Sequence, residues 1–264
     1  MTTAMVIGSC LSGMPCAFLM SEYKWQRPTN AAVMRSDYFV GAFLDGSIVP
    51  PDREEFRSRF QWKEAFAIEG ERWFNEGFRD GVGTFEVPNA SAGLFEVLEE
   101  QKIDVVLMDN LHDTHQLLLR TAEDDTFALP FSMSRCMNEH DLAREFHYGP
   151  PLSAIESATN WLRIIEFIRS KQPDAQVIFH CAQTCTMNDY RDRQSRAAEF
   201  YKVFAPLARN TGALVVPPVD LPYELTRLPE DPDHFEWLVY RAMAGNIFLM
   251  HALWRAQRSS SLGK

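Results

Sequence analysis

Short apolar runs alternate with longer segments of helical periodicity over most of the 264-residue chain. Several of the short runs are almost continuously apolar, which is typical of central parallel strands covered on both faces. The predicted strands are Met5–Ile7, a strand or strand-loop within Ala31–Val40, Ile103–Met108, Gln176–His180 and Ala213–Val216. Pro217 and Pro218 end the last of these strands.

Helical segments fall between these strands and after the last one. The predicted helices are Met14–Tyr23, Ala90–Gln101, Ala154–Arg169, Arg191–Arg209 and Glu236–Arg258. Aromatic and charged residues also recur at helical spacing over Asp52–Phe78, which favours core or lid packing there. Strands that alternate with helices predict an α/β fold, with a doubly wound parallel sheet and helices on both faces.

The length suits a single α/β domain over residues 1–264, whose core needs no metal or disulfide for support. Two regions are interpreted as insertions, at about residues 44–89 and 121–151. Within the first, Gly77–Asn89 is glycine-rich and is predicted to be a loop. The serine-rich tail, residues 259–264, is predicted to fray.

Charge and cysteine content narrow the classes of function. The formal net charge of −10 argues against nucleic acid or an anionic membrane as the main partner. No apolar window approaches the ~20 residues needed to span a bilayer. The five cysteines are an odd number in a long chain, which argues against a disulfide framework. We therefore expect a soluble, cytoplasmic protein, whose oligomeric state stays open.

The segment Gly8–Gly13, with the sequence GSCLSG, joins the first strand to the first helix. A strand–turn–helix of this kind lifts one side chain clear of the sheet, at a helix N-terminus whose N–H groups and dipole favour an anion. A thiol in this place is expected to have a depressed pKa and therefore a larger thiolate fraction. The plainer alternative is an ordinary strand-to-helix turn with a buried cysteine.

The segment Asp231–His234, with the sequence DPDH, lies between the last predicted strand and the last predicted helix, and it is predicted to be a loop. In such a turn the Asp231 carboxylate can fold back onto the His234 imidazole, fix its tautomer and stabilise its protonated form. This pattern indicates a catalytic base with its orienting carboxylate. The alternative is a solvated acidic loop in which Asp231 or Asp233 caps the final helix.

Polar residues also cluster where two central strands end, which is where open α/β sheets keep their sites. These clusters are Asp109, Asn110, His112, Asp113 and His115 after one strand, and His180–Cys185 at the end of the next. We interpret the histidines as substrate contacts or loop residues rather than as metal ligands. Two cysteines four apart without a second pair are weak evidence for a zinc site. Asp80–Thr84 is only a fragment of a phosphate-binding glycine motif. Neither a metal nor a nucleotide cofactor is therefore expected.

Taken together, these segments resemble the SGNH, or GDSL-like, hydrolase superfamily. Its first block, G-D-S-L-[ST], corresponds to Gly8–Ser12, and its last block, D-x-x-H, corresponds to Asp231–His234. Its third block, an asparagine at the end of a central strand, corresponds to Asn110. The resemblance implies a three-layer, flavodoxin-like fold and acyl chemistry. The second block, a glycine that supplies an oxyanion N–H, is matched loosely by Gly41 or Gly46.

The resemblance also implies a role for each of these residues. Cys10, or Ser9 if the turn is shifted by one, would attack an acyl carbonyl. His234 would take the proton of the nucleophile, and Asp231 would orient His234. The backbone N–H of the nucleophile and the Asn110 side chain would hold the oxyanion.

One position departs from the family, since Cys10 stands where the nucleophilic serine is expected. A G-S-C opening followed by an Arg-Ser pair, here Arg35-Ser36, resembles the GSCFA-type and capsular-polysaccharide branches, which include acyltransferases. This implies an ester hydrolase or O-acyltransferase acting on acetyl groups of a carbohydrate, with acetyl-CoA as a candidate donor. The candidate substrate contacts are Arg35, Ser36, His112 and His180. The alternative is a catalytically silent binding or assembly module in polysaccharide biosynthesis.

Overall fold

The computed structural model describes residues 1–32, 35–49, 58–65, 94–115, 118–123, 128–129, 133–185, 191–228 and 231–262. Its strands are β1 (Ala4–Gly8), β2 (Asn30–Ala32), β3 (Val105–Asp109), β4 (Leu119–Thr121), β5 (Ala128–Leu129), β6 (Phe146–Tyr148), β7 (Gln176–His180), β8 (Thr184–Cys185), β9 (Leu214–Val216), β10 (Asp220–Leu221), β11 (Thr226–Leu228) and β12 (Asp231–Phe235). Its α-helices are α1 (Cys10–Tyr23), α2 (Ser36–Phe39), α3 (Leu94–Glu100), α4 (Leu111–His115), α5 (Glu139–Glu145), α6 (Ala154–Lys171), α7 (Arg191–Arg209) and α8 (Trp237–Leu262). A π-helical segment, Val40–Asp45, continues α2.

A parallel sheet of five strands forms the centre of the structure, in the order β2-β1-β3-β7-β9. The central strands are paired along their length: Ala4 lies opposite Val105, which lies opposite Gln176. Counted among the strands of this sheet alone, the order is 2-1-3-4-5, a doubly wound arrangement of the flavodoxin type. The predicted α/β fold with a parallel sheet is confirmed.

Helices cover both faces of this sheet, which explains why its strands are apolar throughout. On one face the buried strand residues pack with α3, α6 and α7; these are Met5, Ile7, Val106, Met108, Val177 and Phe179. On the other face they pack with α1 and α8; these are Ala4, Val6, Val105, Leu107 and Ile178. Alternate side chains of each strand point to opposite faces, so a strand buried on both sides shows no polar alternation.

Helix α1 begins at Cys10, four residues before the predicted start at Met14. Ser9 is its N-cap, and the Ser9 Oγ accepts the backbone N–H of Leu11 at 3.0 Å. Serine at this position satisfies one of the donors that every helix start leaves open. Pro15 consequently stands in the second turn of the helix rather than in its first.

Residues 36–45 are helical, so among the described residues of Ala31–Val40 the predicted strand or strand-loop holds at Ala31 and Ala32 but not from Ser36 onward. Tyr38, Phe39 and Val40 are buried against the face of the sheet that α6 and α7 cover. A short buried apolar run has the same pattern in a strand and in one turn of helix, and periodicity cannot separate the two.

The region predicted as the second insertion contains part of an antiparallel sheet of three strands, in the order β5-β4-β6, and the helix α5. A separate apolar cluster lies under it: Phe60, Leu119, Met133, Cys136, Leu142 and Phe146. Most of the predicted segments Asp52–Phe78 and Gly77–Asn89 lies outside the described residues. Helix α8 continues to Leu262, through most of the tail that was predicted to fray.

Within the described part of the chain, no helix has both the length and the apolar character that crossing a membrane requires.

Candidate active site

The carboxyl ends of β1, β3 and β7 meet at one edge of the sheet. Asp109, the last residue of β3, lies opposite His180, the last residue of β7. The turn that follows β1 is bonded to the same Asp109 by the Ser9 backbone N–H, at 2.9 Å. The structure therefore brings together three of the segments that the sequence singles out: the GSC turn, Asp109-Asn110 and His180.

Asp109 joins these segments through hydrogen bonds. Its carboxylate accepts the Ser9 Oγ–H at 2.7 Å and the Ser9 N–H, and also the backbone N–H groups of Ser12 at 3.0 Å and Leu111 at 3.1 Å. Burial raises the pKa of this carboxyl, and the hydrogen bonds from Ser9, Ser12 and Leu111 oppose that shift. The role of Asp109 is not evident in the sequence, whose only signal is an acidic residue at the end of a buried strand.

Glycine is required at position 8 because the Asp109 carboxylate lies so close to it. A Cβ on Gly8 would lie 2.4 Å from Asp109 Oδ2 and 2.9 Å from the Asp109 backbone nitrogen. No side chain fits this space, so the first glycine of the GSC turn is needed for packing against β3 rather than for an unusual backbone angle.

Ser9 and Cys10 were the two candidate nucleophiles, and their surroundings differ. The Ser9 hydroxyl is buried, donates to Asp109 and accepts from Leu11. Cys10 is partly exposed and is the first residue of α1. Of the four cysteines whose side chains the structure describes, it is the one that is not buried. Desolvation raises the pKa of the others: that of Cys16 and of Cys136 to about 11, and that of Cys181 further still.

Cys10 packs against a small apolar cluster that we call the Cys10 cluster. Its buried members are Leu11, Leu111, Ala182, Ala197, Phe235 and Tyr240. Leu111 follows Asn110 in the chain, and Phe235 follows His234. The cluster therefore places the neighbours of two predicted site residues around the base of Cys10.

Asn110 is 1% exposed and is fixed through one end of its amide. Its Oδ1 accepts the backbone N–H of Ala182 at 2.8 Å. Its Nδ2 is buried and has no hydrogen-bond partner among the described residues. A buried amide with an unused N–H₂ group is a donor available to a bound oxygen atom.

The DPDH segment lies in a hairpin rather than in the predicted loop. β12 pairs antiparallel with β11, and Thr226 lies opposite Phe235 while Leu228 lies opposite Asp231. The pairing is irregular, since β12 advances four residues where β11 advances two. His234 is partly exposed, and the side chain of Asp231 lies outside the described set, so their partnership stays a prediction.

His180 is 4% exposed, and neither ring nitrogen has a hydrogen-bond partner among the described residues. Burial lowers its pKa to about 4, so the imidazole is neutral at pH 7. The residues after it are buried as well: Gln183 donates to the Cys181 carbonyl at 3.0 Å and accepts the Val219 N–H at 2.8 Å. His180, Cys181, Ala182 and Gln183 are therefore part of the interior.

Arg35 and Ser36 make internal contacts. Arg35 is 1% exposed and forms a two-pronged ion pair with Asp37, at 2.8 and 2.7 Å, and donates to the Pro150 carbonyl at 3.1 Å. Ser36 donates its backbone N–H and its Oγ–H to Asp113, at 2.8 and 2.7 Å. A contact between these residues and a substrate stays a prediction.

Gly41 and Gly46 lie apart from the Cys10 cluster. Gly41 is buried in the π-helical segment, and a Cβ on it would lie 2.5 Å from Ile48 Cδ1. That segment packs on the face of the sheet opposite α1. Gly46 is exposed and ends the segment with a φ of 65°. The structure brings neither glycine to the Cys10 cluster, so a further oxyanion donor from this region stays a prediction.

Two further points concern possible ligands. His112 is partly exposed on α4, and the side chain of His115 lies outside the described set. Among the described residues, no group of three or more histidine, cysteine, aspartate or glutamate side chains is placed to hold a metal ion.

No protein-family model matches the sequence, and no similar curated protein was found. The fold is similar to that of a carbohydrate esterase, at 10% identity over 96% of this chain and 65% of that chain, with a TM-score of 0.44. It is similar to an extracellular lipase from Streptomyces rimosus, at 11% identity over 90% of this chain and 94% of that chain, with a TM-score of 0.42.

A third similar structure is an acetyl xylan esterase from the rumen bacterium Butyrivibrio proteoclasticus, at 9% identity over 98% of this chain and 64% of that chain, with a TM-score of 0.40. The chain thus spans less than two thirds of the length of the two esterases. TM-scores below 0.5 carry no inference about activity, and the α/β fold rests on the strand order described above.

Proposed function

We propose that the chain is an acyl-transfer enzyme of the SGNH type. It would be a carboxylic-ester hydrolase or an O-acyltransferase that acts on acetyl groups of a carbohydrate or a similar hydroxylated substrate. One observation carries this proposal: Cys10, the first residue of α1, packs on the same buried cluster as Leu111 and Phe235, the neighbours of Asn110 and His234.

Cys10 is better placed than Ser9 to act as the nucleophile. The Ser9 hydroxyl already caps α1 and donates to Asp109, so its attack would break two hydrogen bonds that hold the turn. The Cys10 thiol is partly exposed, and it lies at the positive end of a 14-residue helix. That position favours the thiolate over the thiol.

Asn110 is well placed to act as a hydrogen-bond donor to the oxyanion. Its Oδ1 is held by Ala182, so the orientation of the amide is set before any ligand binds, and its Nδ2 is unpartnered among the described residues. A donor that needs no reorganisation during the reaction is the kind that stabilises developing charge most.

The proposed reaction has two halves. The Cys10 thiolate, whose proton has passed to His234, forms a bond to the acyl carbon, and the carbonyl electron pair moves to the oxygen, which accepts from Asn110 and the Cys10 N–H. As the C=O bond re-forms, the alkoxide or thiolate of the donor leaves and takes a proton from His234, which Asp231 would orient. A thioester on Cys10 remains.

In the second half, an acceptor O–H gives its proton to His234 and its oxygen attacks the thioester. The Cys10 thiolate is the leaving group, so the enzyme is regenerated. Water as the acceptor gives hydrolysis, and a sugar hydroxyl gives O-acyl transfer. A thioester can pass its acyl group to either one, and acetyl-CoA is the proposed donor for transfer.

The test is to incubate the protein separately with p-nitrophenyl acetate and with acetyl-CoA, and to locate any acetyl group by intact-mass and peptide mass spectrometry. We expect a mass increase of one acetyl on Cys10, absent in Cys10→Ala. In His234→Ala the adduct should persist longer, because its removal lacks a base. Labelling by acetyl-CoA would favour the transferase.

Cys16→Ala is the matched control, because Cys16 lies on the same helix but is buried in the core. It should keep the adduct. Acetyl on Ser9 instead would place the nucleophile one residue earlier. The absence of an adduct with both donors, in protein that is folded, would contradict the proposal and favour the silent binding module.

A further inference from the structure

Helix α4 holds the residue after Asn110, and it is only five residues long. A helix of this length has little stability of its own and depends on tertiary contacts. Its first N–H, that of Leu111, is bonded to Asp109, and the backbone N–H of Asp113 bonds back to the Asn110 carbonyl at 3.1 Å. The position of the Asn110 backbone therefore depends on how firmly α4 is held.

Asp113 supplies a hydrogen-bonded tertiary contact that holds α4, in addition to the packing of Leu111 in the Cys10 cluster. It is 4% exposed, and its carboxylate accepts four hydrogen bonds from two other segments of the chain. Ser36 donates through its N–H and its Oγ–H, and α6 donates through the Ser157 hydroxyl and, at 2.8 Å, through Trp161 Nε1. Helix α6 has 18 residues, and Trp161 is fully buried in the core.

Asp109 and Asp113 thus bracket Asn110, one residue before it and three residues after it. Asp109 bonds to the GSC turn, and Asp113 bonds to α2 and α6. The only hydrogen bond described for the Asn110 side chain is the one that its Oδ1 accepts from the Ala182 backbone N–H. Ala182 orients the amide, while the two carboxylates on either side hold the stretch of backbone from which the Asn110 side chain extends.

We infer that Asp113 is a positioning residue, which sets the place of the Asn110 amide at the oxyanion site through α4. The inference rests on the proposed function. Asp113 and Trp161 would then affect the reaction through the position of Asn110.

The test is a double-mutant cycle on turnover of p-nitrophenyl acetate, with Asp113→Asn, Asn110→Ala and the double variant. Asp113→Asn should lower kcat by about 10- to 100-fold, the loss expected when a catalytic group is misplaced by up to about 1 Å, while KM changes little. In the Asn110→Ala background, Asp113→Asn should lower kcat no further, because the group it positions is gone. The loss of thermal stability should be the same in both backgrounds.

Trp161→Phe, which removes one of the four donors, is a milder variant that keeps the test open if Asp113→Asn does not fold. Ser153→Ala is the matched control on α6. It removes the N-cap that bonds to Glu156 and should lower stability without lowering kcat.

The outcomes separate the two proposals. If Asn110→Ala leaves kcat unchanged, both the proposed oxyanion donor and the role of Asp113 are wrong. If Asn110→Ala lowers kcat but Asp113→Asn or Trp161→Phe does not, or if the two losses multiply in the double variant, only the inference about Asp113 is overturned.

Discussion

Asp109 and His180 end neighbouring strands, lie opposite each other in the sheet, and are both buried and titratable. Their surroundings could hardly differ more. Asp109 accepts four hydrogen bonds from Ser9, Ser12 and Leu111. His180 has no hydrogen-bond partner for either ring nitrogen in the described part of the chain.

The difference distinguishes a buried group that stabilises the fold through hydrogen bonds from a buried group that makes none in the described part of the chain. Asp109 is a structural residue whose donors fix the GSC turn against β3. An unpartnered buried nitrogen costs about 1–3 kcal/mol, so His180 is a group that the fold tolerates but does not need. At this edge of the sheet, His180 and the Nδ2 of Asn110 are two buried polar groups that make no hydrogen bond within the described part of the chain.

Removing the Asp109 carboxylate should have the largest effect. Asp109→Ala leaves four donors without an acceptor in a buried space, and we expect it to lower the free energy of unfolding by about 4 kcal/mol or more. Urea denaturation at pH 7 measures this loss. Asp104→Ala is a comparison at the other end of β3, where a partly buried carboxylate accepts the Thr3 N–H and less should be lost. Equal losses would contradict the special role of Asp109.

Acid should lower the stability of the folded protein through His180. The unfolded chain takes up a proton at His180 near pH 6.5, whereas the folded protein does so only near its pKa of about 4. Stability is therefore lost as pH falls from about 6.5 to 4, by about 3 kcal/mol for this group. Denaturation midpoints of the wild type and His180→Leu, compared between pH 7 and pH 4.5, should show this loss in the wild type alone.

The comparison with His180→Leu is needed because Asp113 acts in the opposite direction. Burial raises the pKa of Asp113 to about 6, so its contribution to stability falls as pH rises from about 4 to 6. That contribution is common to both proteins and cancels in the difference. The same acid sensitivity in the two proteins would show that the fold does not hold His180 neutral.

A methyl group on Gly8 should press on the Asp109 carboxylate and strain the turn. We expect Gly8→Ala to lower stability by about 2 kcal/mol, a typical cost of overpacking, and to slow the acylation of Cys10 at the same time. Gly245→Ala is the matched control, since its Cβ would meet only Tyr23 Oη at 3.8 Å, inside helix α8. It should gain about 0.5–1 kcal/mol. A Gly8→Ala protein as stable as the wild type would contradict the close packing.

The smallest effect is expected for His180→Leu at pH 7. Leucine has a similar volume and no polar atoms, so stability should stay the same or rise by about 1 kcal/mol. A loss of more than that would mean that the imidazole is satisfied in the folded protein. A higher KM for an acetyl ester in this variant would support the predicted substrate contact.

The strands β1, β3 and β7 and the helices α6 and α7 could be predicted closely, because burial on both faces or on one face leaves a plain pattern. The helix at residues 36–45 could not, because it depends on packing against α6 and the sheet. The hairpin at Asp231–Phe235 could not, because its pairing with β11 is irregular. The same holds for the site. Cys10, Asn110 and His234 stand out by their local motifs, whereas three of the four hydrogen bonds to Asp109 come from Ser9 and Ser12, about 100 positions earlier.

That separation along the chain also has a consequence for synthesis on the ribosome. The turn that carries Cys10 is made first, and the carboxylate that fixes it follows 100 residues after Ser9. At about 5–20 residues per second, this interval lasts about 5–20 s. During that time the segment has neither the Asp109 carboxylate nor the Asn110 amide, so the proposed site is assembled only when β1 and β3 pair.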